Sequence, residues 1–139
     1  MFNNCDKIKT IDLSFFDIKN VTDMTYIFWN CFNLTNINLT CFDTRNVTNM
    51  EQMLCNCYNL INIDLSSFNT KNITNKRNMF YNCQKLINFN LSLFDTKNVR
   101  NMEQIFYNCQ NLININLSSS DTNNVDLRNM FSRCNNLKK

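Results

Sequence analysis

The chain has 139 residues, the length of a single domain, and carries a formal net charge of +3 with acidic and basic residues interleaved. This balance does not favour nucleic acid or a membrane surface as a partner, and no apolar run approaches the ~20 residues that span a bilayer. The chain contains neither glycine nor proline, so other residues must form its tight turns, and asparagine tolerates the left-handed backbone region.

The first ten residues, MFNNCDKIKT, already lie inside a repeated pattern and lack the charged-then-apolar layout of an export signal. We therefore expect further sequence upstream of this stretch. An asparagine-rich chain can be disordered, but the apolar residues recur here at regular intervals, which predicts a folded chain.

A repeat of 26 residues runs through the chain, and the cysteines set its register. Five cysteines stand at this interval and another follows after 25 residues: Cys5, Cys31, Cys57, Cys83, Cys109 and Cys134. Leucine stands three residues after the later ones, at Leu34, Leu60, Leu86, Leu112 and Leu137. A fixed period of roughly 20–50 residues is typical of stacked repeats, and 26 lies in the leucine-rich range. We predict four complete units, at 17–42, 43–68, 69–94 and 95–120, between partial units at 1–16 and 121–139.

Each unit begins with a turn and continues with a predicted short helix. In the unit 43–68, Asp43 and Asn46 are typical turn residues. The pair Thr48 and Glu51 has the spacing of a capping box, which predicts a helix start near Thr48. The apolar residues then follow the 0, 3, 4, 7 spacing of one helix face, at Met50, Met53, Leu54 and Cys57.

The second half of each unit reads as a strand. Asn59, like Asn33 and Asn111, stands where a left-handed residue would end the helix. After it, apolar residues alternate with polar ones, which is the pattern of a half-buried strand, at Ile61, Ile63 and Leu65.

A short helix and a short strand cannot bury their apolar faces alone, whereas stacked units place leucine on leucine and strand beside strand at ~4.8 Å. We therefore predict an α/β repeat fold that forms a single domain over residues 1–139. It is a leucine-rich-repeat solenoid of about 26 residues per coil, with a parallel β-sheet on one side and short helices on the other.

The pattern F-D-T-x-N-V-T-N-M-x-x-M-x-x-x-C-x-x-L-x-x-I-x-L-S, repeated in successive units, resembles the BspA-like leucine-rich repeats of bacterial surface proteins and lipoproteins. The resemblance implies a right-handed solenoid that takes part in adhesion or protein binding. It also implies a cell-surface or secreted location and a protein ligand, such as a host or matrix protein.

Three positions depart from the pattern. Lys76 stands in the column of Met24, Met50 and Met102, where we expect it either to extend toward solvent or, as we favour, to distort the helix near 75–78. Ser120 replaces the phenylalanine that ends the earlier units, and one residue is missing before Cys134.

The cysteine column admits three interpretations. We favour a ladder of buried free thiols, because cysteine is a common core residue. A disulfide framework and a metal site are the alternatives, but the chain contains no histidine and its one close pair is Cys55-x-Cys57 rather than CxxC. The helix pattern directs Cys57 inward and Cys55 outward, so we predict no metal ligands.

The polar positions of the predicted strands form the candidate ligand-binding surface. In the four complete units they are Asn36, Asn38 and Thr40, then Asn62, Asp64 and Ser66, then Asn88, Asn90 and Ser92, and finally Asn114, Asn116 and Ser118. Repeat proteins bind along such surfaces, although few aromatic anchors are present here. The alternative is a solvated sheet face held together by asparagine ladders.

Two further columns are candidates for contact with partners. One is a basic column at Lys19, Arg45, Lys71 and Lys97. In most units an acidic residue stands two positions before it, which favours a charge-balanced edge over a stripe that binds acidic glycans or nucleic acid. Large aromatic residues follow the core column at Trp29, Tyr81 and Tyr107, where we expect packing between coils more than a partner patch.

These features predict a non-catalytic module that binds protein ligands through the polar sheet face, with no cofactor, no nucleic acid and no membrane insertion. The alternative is a structural spacer or an array that self-associates end to end. An enzyme is the third hypothesis, which the absence of histidine and of paired carboxylates outside the turn and strand columns disfavours.

Overall fold

The computed structural model describes residues 2–90, 95–116 and 122–138. Two strands occur in this part of the chain, β1 at Asn88–Asn90 and β2 at Asn114–Asn116. They pair in parallel, with Asn88 opposite Asn114 and Asn90 opposite Asn116, so residues one repeat apart are direct neighbours. An isolated parallel bridge between Asn38 and Asp64 continues the same pairing in earlier units. The predicted parallel pairing of the strand segments is therefore confirmed for these units.

The helix prediction is wrong, because no helix occurs in 2–90, 95–116 or 122–138. The segments in question are ribbons of consecutive turns at 25–30, 51–56, 77–82, 103–108 and 128–133, which we call the turn ribbon. In one of them the Met53, Cys55 and Cys57 amides each donate to the carbonyl three residues earlier, at 3.3, 3.2 and 3.2 Å. The 0, 3, 4, 7 spacing of apolar residues fits these turns as well as it fits a helix.

Two residues of each ribbon have a positive φ, which a right-handed helix does not accept. In the unit 43–68 they are Gln52 (φ 52°) and Asn56 (φ 63°). Every second backbone amide in this segment consequently points away from its own unit and donates to a carbonyl of the next unit. The Met50, Gln52, Leu54 and Asn56 amides bond to the carbonyls of Asn75, Arg77, Met79 and Tyr81 at 2.8–3.0 Å.

The asparagines that were predicted to end each helix in a left-handed conformation have another role. Asn33 and Asn59 are absent from the positive-φ residues, and their side-chain amides donate to the carbonyls of Asp6 and Phe32 in the preceding unit, at 2.6 and 2.8 Å. Asn111 is likewise not left-handed.

The predicted capping box is also not formed. The Thr48 hydroxyl donates to the Thr22 carbonyl at 3.2 Å, and the Glu51 amide donates to Asn49 Oδ1 at 3.0 Å. A second line of parallel bridges, which the sequence did not indicate, follows this position through Asp23, Asn49, Asn75, Asn101 and Asp126.

The core consists of the repeated apolar columns, as predicted. Phe28, Phe80 and Phe106 are almost completely buried, and the Phe80 and Phe106 rings stack at 5.5 Å between centroids. The leucine column is equally buried at Leu34, Leu60, Leu86 and Leu112. Each such side chain stabilises the fold by roughly 1.5–3 kcal/mol, so the contribution recurs in every unit.

Lys76 neither extends into solvent nor distorts its unit. Its side chain is fully buried, and its amide donates to the Asn101 carbonyl at 2.9 Å as the Met50 amide does to Asn75. The Lys76 Nζ donates to the backbone carbonyl of Asp95 at 3.3 Å. Burial lowers the pKa of Lys76 to about 7, against a weaker opposing attraction from Asp95. Both expectations for this residue were wrong, because the turn ribbon holds the backbone in register and a carbonyl receives the buried amine.

Candidate functional site

The predicted ligand surface is exposed in the described part of the chain. Ten of its residues carry exposed side chains: Asn36, Asn38, Thr40, Asn62, Asp64, Ser66, Asn88, Asn90, Asn114 and Asn116. Ser92 and Ser118 lie outside the described residues. Among the intervening apolar residues, Ile37, Leu39, Leu65 and Phe89 are buried and Ile63 and Ile115 are half-buried, so the predicted alternation is confirmed. We call these ten residues the sheet face.

Backbone bonds between units set the register of this face. The Ile61 amide donates to Thr35, the Ile87 amide to Ile61 and the Ile113 amide to Ile87, at 3.2, 3.2 and 2.8 Å. The residues of the sheet face therefore form rows that cross the units at the strand spacing of ~4.8 Å. We call Asn36, Asn62, Asn88 and Asn114 the amide row. Asn38, Asp64, Asn90 and Asn116 form the turn row.

Two members of the turn row, Asn38 and Asp64, use their side-chain oxygens inside their own units. Asn38 Oδ1 accepts from the Thr40 amide at 3.0 Å and from the Thr40 hydroxyl at 2.7 Å. Asp64 Oδ1 accepts from the Ser66 amide at 2.8 Å, and this bond lowers the pKa of the Asp64 carboxyl. These are Asx-turns, in which the side chain bonds to backbone two residues ahead and ends the strand.

The amide row is chemically more available. Asn114 Nδ2 donates to Asn88 Oδ1 at 3.3 Å, which leaves each amide with further bonding capacity. The side chains of Asn36 and Asn62 make no hydrogen bond within residues 2–90, 95–116 and 122–138. Neutral amides that both donate and accept are therefore the main groups that this face offers to a ligand.

Two members of the basic column form ion pairs with the acidic residue two positions earlier. Lys19 pairs with Asp17 at 2.9 Å, and Arg45 pairs with Asp43 at 2.6 Å. The side-chain bonds from Lys19 and Arg45 lower the pKa of both carboxyls. The prediction of balanced charge is confirmed for these two units.

The cysteine column is buried at Cys31, Cys57, Cys83 and Cys109, and all eight cysteines are free thiols. Cys57 Sγ donates to the Phe28 carbonyl at 3.3 Å and Cys83 Sγ to the Leu54 carbonyl at 3.3 Å. Burial raises the pKa of both thiols well above the ordinary value. The predicted ladder of buried thiols is confirmed. No cluster of three or more potential metal ligands occurs among the residues that the structure describes.

Cys55 was expected to face outward, but only 5% of it is exposed. It lies outside the main core cluster and in the column of Trp29 and Tyr81, so it is covered at the surface of the turn ribbon rather than buried in the core. The prediction that Cys55 and Cys57 face different ways is confirmed, but the prediction that Cys55 is exposed is wrong.

The turn ribbon carries an asparagine ladder that the sequence reasoning missed. Each Nδ2 donates to the Oδ1 one unit earlier, at 2.9, 2.8, 2.8 and 2.8 Å, along Asn4, Asn30, Asn56, Asn82 and Asn108. The available signal was an asparagine immediately before five members of the cysteine column, Cys5, Cys31, Cys57, Cys83 and Cys109.

Charges also link units along the ribbon. Arg77 bonds to Glu51 at 3.2 Å and to Glu103 at 3.1 Å, and Arg128 approaches Glu103 at 3.6 Å. Because acidic and basic residues alternate from unit to unit, this network is internally compensated and favours no charged partner.

The described residues include no helix with the length and apolar character needed to cross a membrane.

A family model described as "Mycoplasma protein of unknown function, DUF285" matches residues 1–112 and 84–139, which together span the chain. No curated protein matches this sequence. Among solved structures, the chain is similar to a leucine-rich repeat protein from Bacteroides ovatus, with 20% identity and a TM-score of 0.46. The similarity covers 68% of this chain and 22% of that protein, so the chain spans about a fifth of its length.

Proposed function

We propose that this chain, which belongs to the family described as Mycoplasma protein of unknown function, DUF285, is a non-catalytic segment of a leucine-rich-repeat solenoid that binds protein ligands. The sheet face is the binding surface, and the amide row is its centre. One continuous stack of repeat units over residues 1–139 carries it.

The observation that supports this proposal is the amide row itself. Asn36, Asn62, Asn88 and Asn114 are exposed at one position of successive units, above buried apolar residues that fix the backbone. Their side chains present donors and acceptors at the spacing of neighbouring strands, which a protein surface or an extended segment can match. The face lacks aromatic anchors, so its affinity comes from many moderate contacts along the stack.

The charge and composition of the sheet face restrict the class of partner that it can bind. Asp64 is the single ionisable residue of the sheet face, and its carboxylate is held in an Asx-turn. A nucleic acid needs phosphate neutralisation by lysine or arginine, which this face does not offer. We therefore propose a host or matrix protein as the ligand and, with the BspA-like resemblance, a cell-surface or secreted location.

The test is a double substitution in the amide row. Asn62→Arg together with Asn88→Arg adds bulk and charge where a ligand would lie, without touching the core. Binding to immobilised extracellular matrix proteins is measured by surface plasmon resonance, beside the control Asn20→Arg in an exposed turn away from the sheet face.

We expect the double variant to lose binding while the control binds as the unsubstituted chain does. Unchanged binding by a double variant that unfolds at the same urea concentration as the unsubstituted chain rejects the sheet face as the site.

A structural spacer or self-associating array is the second candidate. The observation in its favour is that one set of backbone bonds joins successive units in a single direction, as from Met50 to Asn75 and from Met102 to Asp126. Such pairing has no feature that limits it to one chain. Light scattering over a wide concentration range separates the two, because a constant monomer mass contradicts self-association.

A further inference from the structure

A pocket opens on the turn ribbon, away from the sheet face, with a volume of about 380 Å³. Asn3, Tyr26, Trp29 and Gln52 line it. Its size lies within the range of roughly 300–1,000 Å³ that is typical of small-molecule sites. The proposed protein-binding function does not use this pocket.

The repeat is broken where the pocket forms. The position of Tyr26 is held by Gln52, Asn78 and Gln104 in later units. The position of Trp29, the only tryptophan of the chain, is held by Cys55, Tyr81 and Tyr107. One unit of an otherwise regular array thus places two large aromatic side chains side by side.

Tyr26 also occupies a backbone conformation that bulky residues avoid. Its φ is 58°, in the left-handed region, where asparagine stands in two of the equivalent units, at Asn78 and Asn129. The same turn recurs at Gln52 and Gln104, so what distinguishes this unit is the aromatic ring that it holds at the surface, with 41% of Tyr26 exposed.

The two rings form a corner. Their planes are inclined at 81° with centroids 6.0 Å apart. Gln52 Nε2 donates to Tyr26 Oη at 3.4 Å, which places a neutral amide at one side of the corner, and Asn3 provides another amide in the lining. None of the four lining residues carries a formal charge.

We infer that this pocket binds a neutral mono- or disaccharide. The face of a pyranose ring is a patch of C–H groups, which packs on an aromatic plane, while its hydroxyls both donate and accept. The amides of Asn3 and Gln52 have the matching donor and acceptor groups. A charged ligand would lose hydration without gaining a counter-charge from the lining.

Trp29 makes the test direct, because all indole emission of the chain comes from this pocket. The probes are methyl glycosides of glucose, galactose, mannose and N-acetylglucosamine, with lactose and cellobiose. We expect a saturable change in tryptophan emission with at least one of them. The inference is overturned when none of these glycosides produces saturation.

Matched variants locate the binding, with affinity measured by calorimetry. Tyr26→Asn installs the residue found at Asn78, so it keeps the left-handed turn while removing the ring. We expect affinity for the binding glycoside to fall about tenfold. Gln52→Gly preserves the positive φ and should also weaken binding, whereas Gln104→Gly, the same change two units away, should not.

The assignment of the pocket is overturned if Tyr26→Asn binds the glycoside as tightly as the unsubstituted chain does. It is also overturned if Gln52→Gly and Gln104→Gly bind the glycoside with equal affinity.

Discussion

The turn ribbon and the sheet face repeat with the same period but hold the units together to different degrees. In the unit 43–68 the ribbon sends four backbone amides to the next unit, and asparagine side chains add a second connection. The strand segment of the same unit contributes the Ile61 amide and the bridge at Asp64. The ribbon therefore fixes the stack, which leaves the exposed side chains of the sheet face free to vary.

The largest effect is expected in the core beneath the ribbon. Phe80 is fully buried, and its ring lies 5.5 Å from that of Phe106 and 4.8 Å from that of Phe89. Phe80→Ala removes these contacts and leaves a cavity, so we expect the free energy of unfolding to fall by roughly 3–5 kcal/mol in urea titration. A loss below about 1 kcal/mol would mean that the units do not pack as described.

Lys76→Met should stabilise the protein, because methionine is the residue of this column in other units and needs no hydrogen bond. The folded-state pKa of Lys76, about 7, lies below its ordinary value of 10.5, so the unfolded chain binds more protons between these limits. Stability of the unsubstituted chain therefore rises with pH from about 7 toward 10.5, by up to about 1.4 kcal/mol per unit. At pH 7 we expect Lys76→Met to be more stable by at least about 2 kcal/mol.

Urea unfolding of both proteins between about pH 7 and 8.5 measures this difference. Above that range the unfolded thiols ionise near their ordinary pKa of 9.0, while burial keeps Cys83 protonated in the folded state, so stability falls for an independent reason. The thiol contribution is common to both proteins and cancels in their difference. A gap that does not narrow as the pH rises would show that Lys76 is not buried as an amine.

The asparagine ladder should contribute less. Asn82 donates to Asn56 and accepts from Asn108, each at 2.8 Å. Asn82→Gly keeps the left-handed turn at φ 60° and removes both side-chain bonds, so we expect a loss of about 1–2 kcal/mol. Asn62→Ala on the sheet face is the control, and we expect it to change stability by less than about 0.5 kcal/mol. Equal losses would contradict the division between ribbon and face.

The sequence predicted the columns of the core and the exposure of the sheet face, because stacking at a fixed period places like residues on each other. It did not predict the ribbon. Met50, Met53, Leu54 and Cys57 have a spacing shared by a helix and by consecutive turns, and the difference lies in the φ of Gln52 and Asn56. Stacking favours the turns, because every second amide then donates to a carbonyl of the next unit. In a helix the same amides would donate to carbonyls of their own unit.

The candidate surface was predicted in its position but not in its chemistry. Asn38 and Asp64 are exposed as expected, but one oxygen of each bonds to Thr40 or Ser66, which reduces the bonding capacity left for a ligand. The N-x-T and D-x-S spacing is an Asx-turn signal and could have shown this. The pocket at Tyr26 and Trp29 could not be predicted, because the left-handed turn that places the tyrosine was itself hidden in the helix pattern.

The smallest effect is expected at the exposed ion pairs. Arg45 meets both oxygens of Asp43, but the arginine side chain is 72% exposed, so water and salt screen the attraction. Asp43 Oδ1 also accepts the Arg45 amide at 3.2 Å, a turn bond that an asparagine can keep. We therefore expect Asp43→Asn to leave the urea midpoint of unfolding essentially unchanged. The same measurement at high salt should show no difference, since only the charge is lost. A larger, salt-independent loss would assign Asp43 to the structure of the turn, and this edge would then support the stack in the same way as the ribbon does.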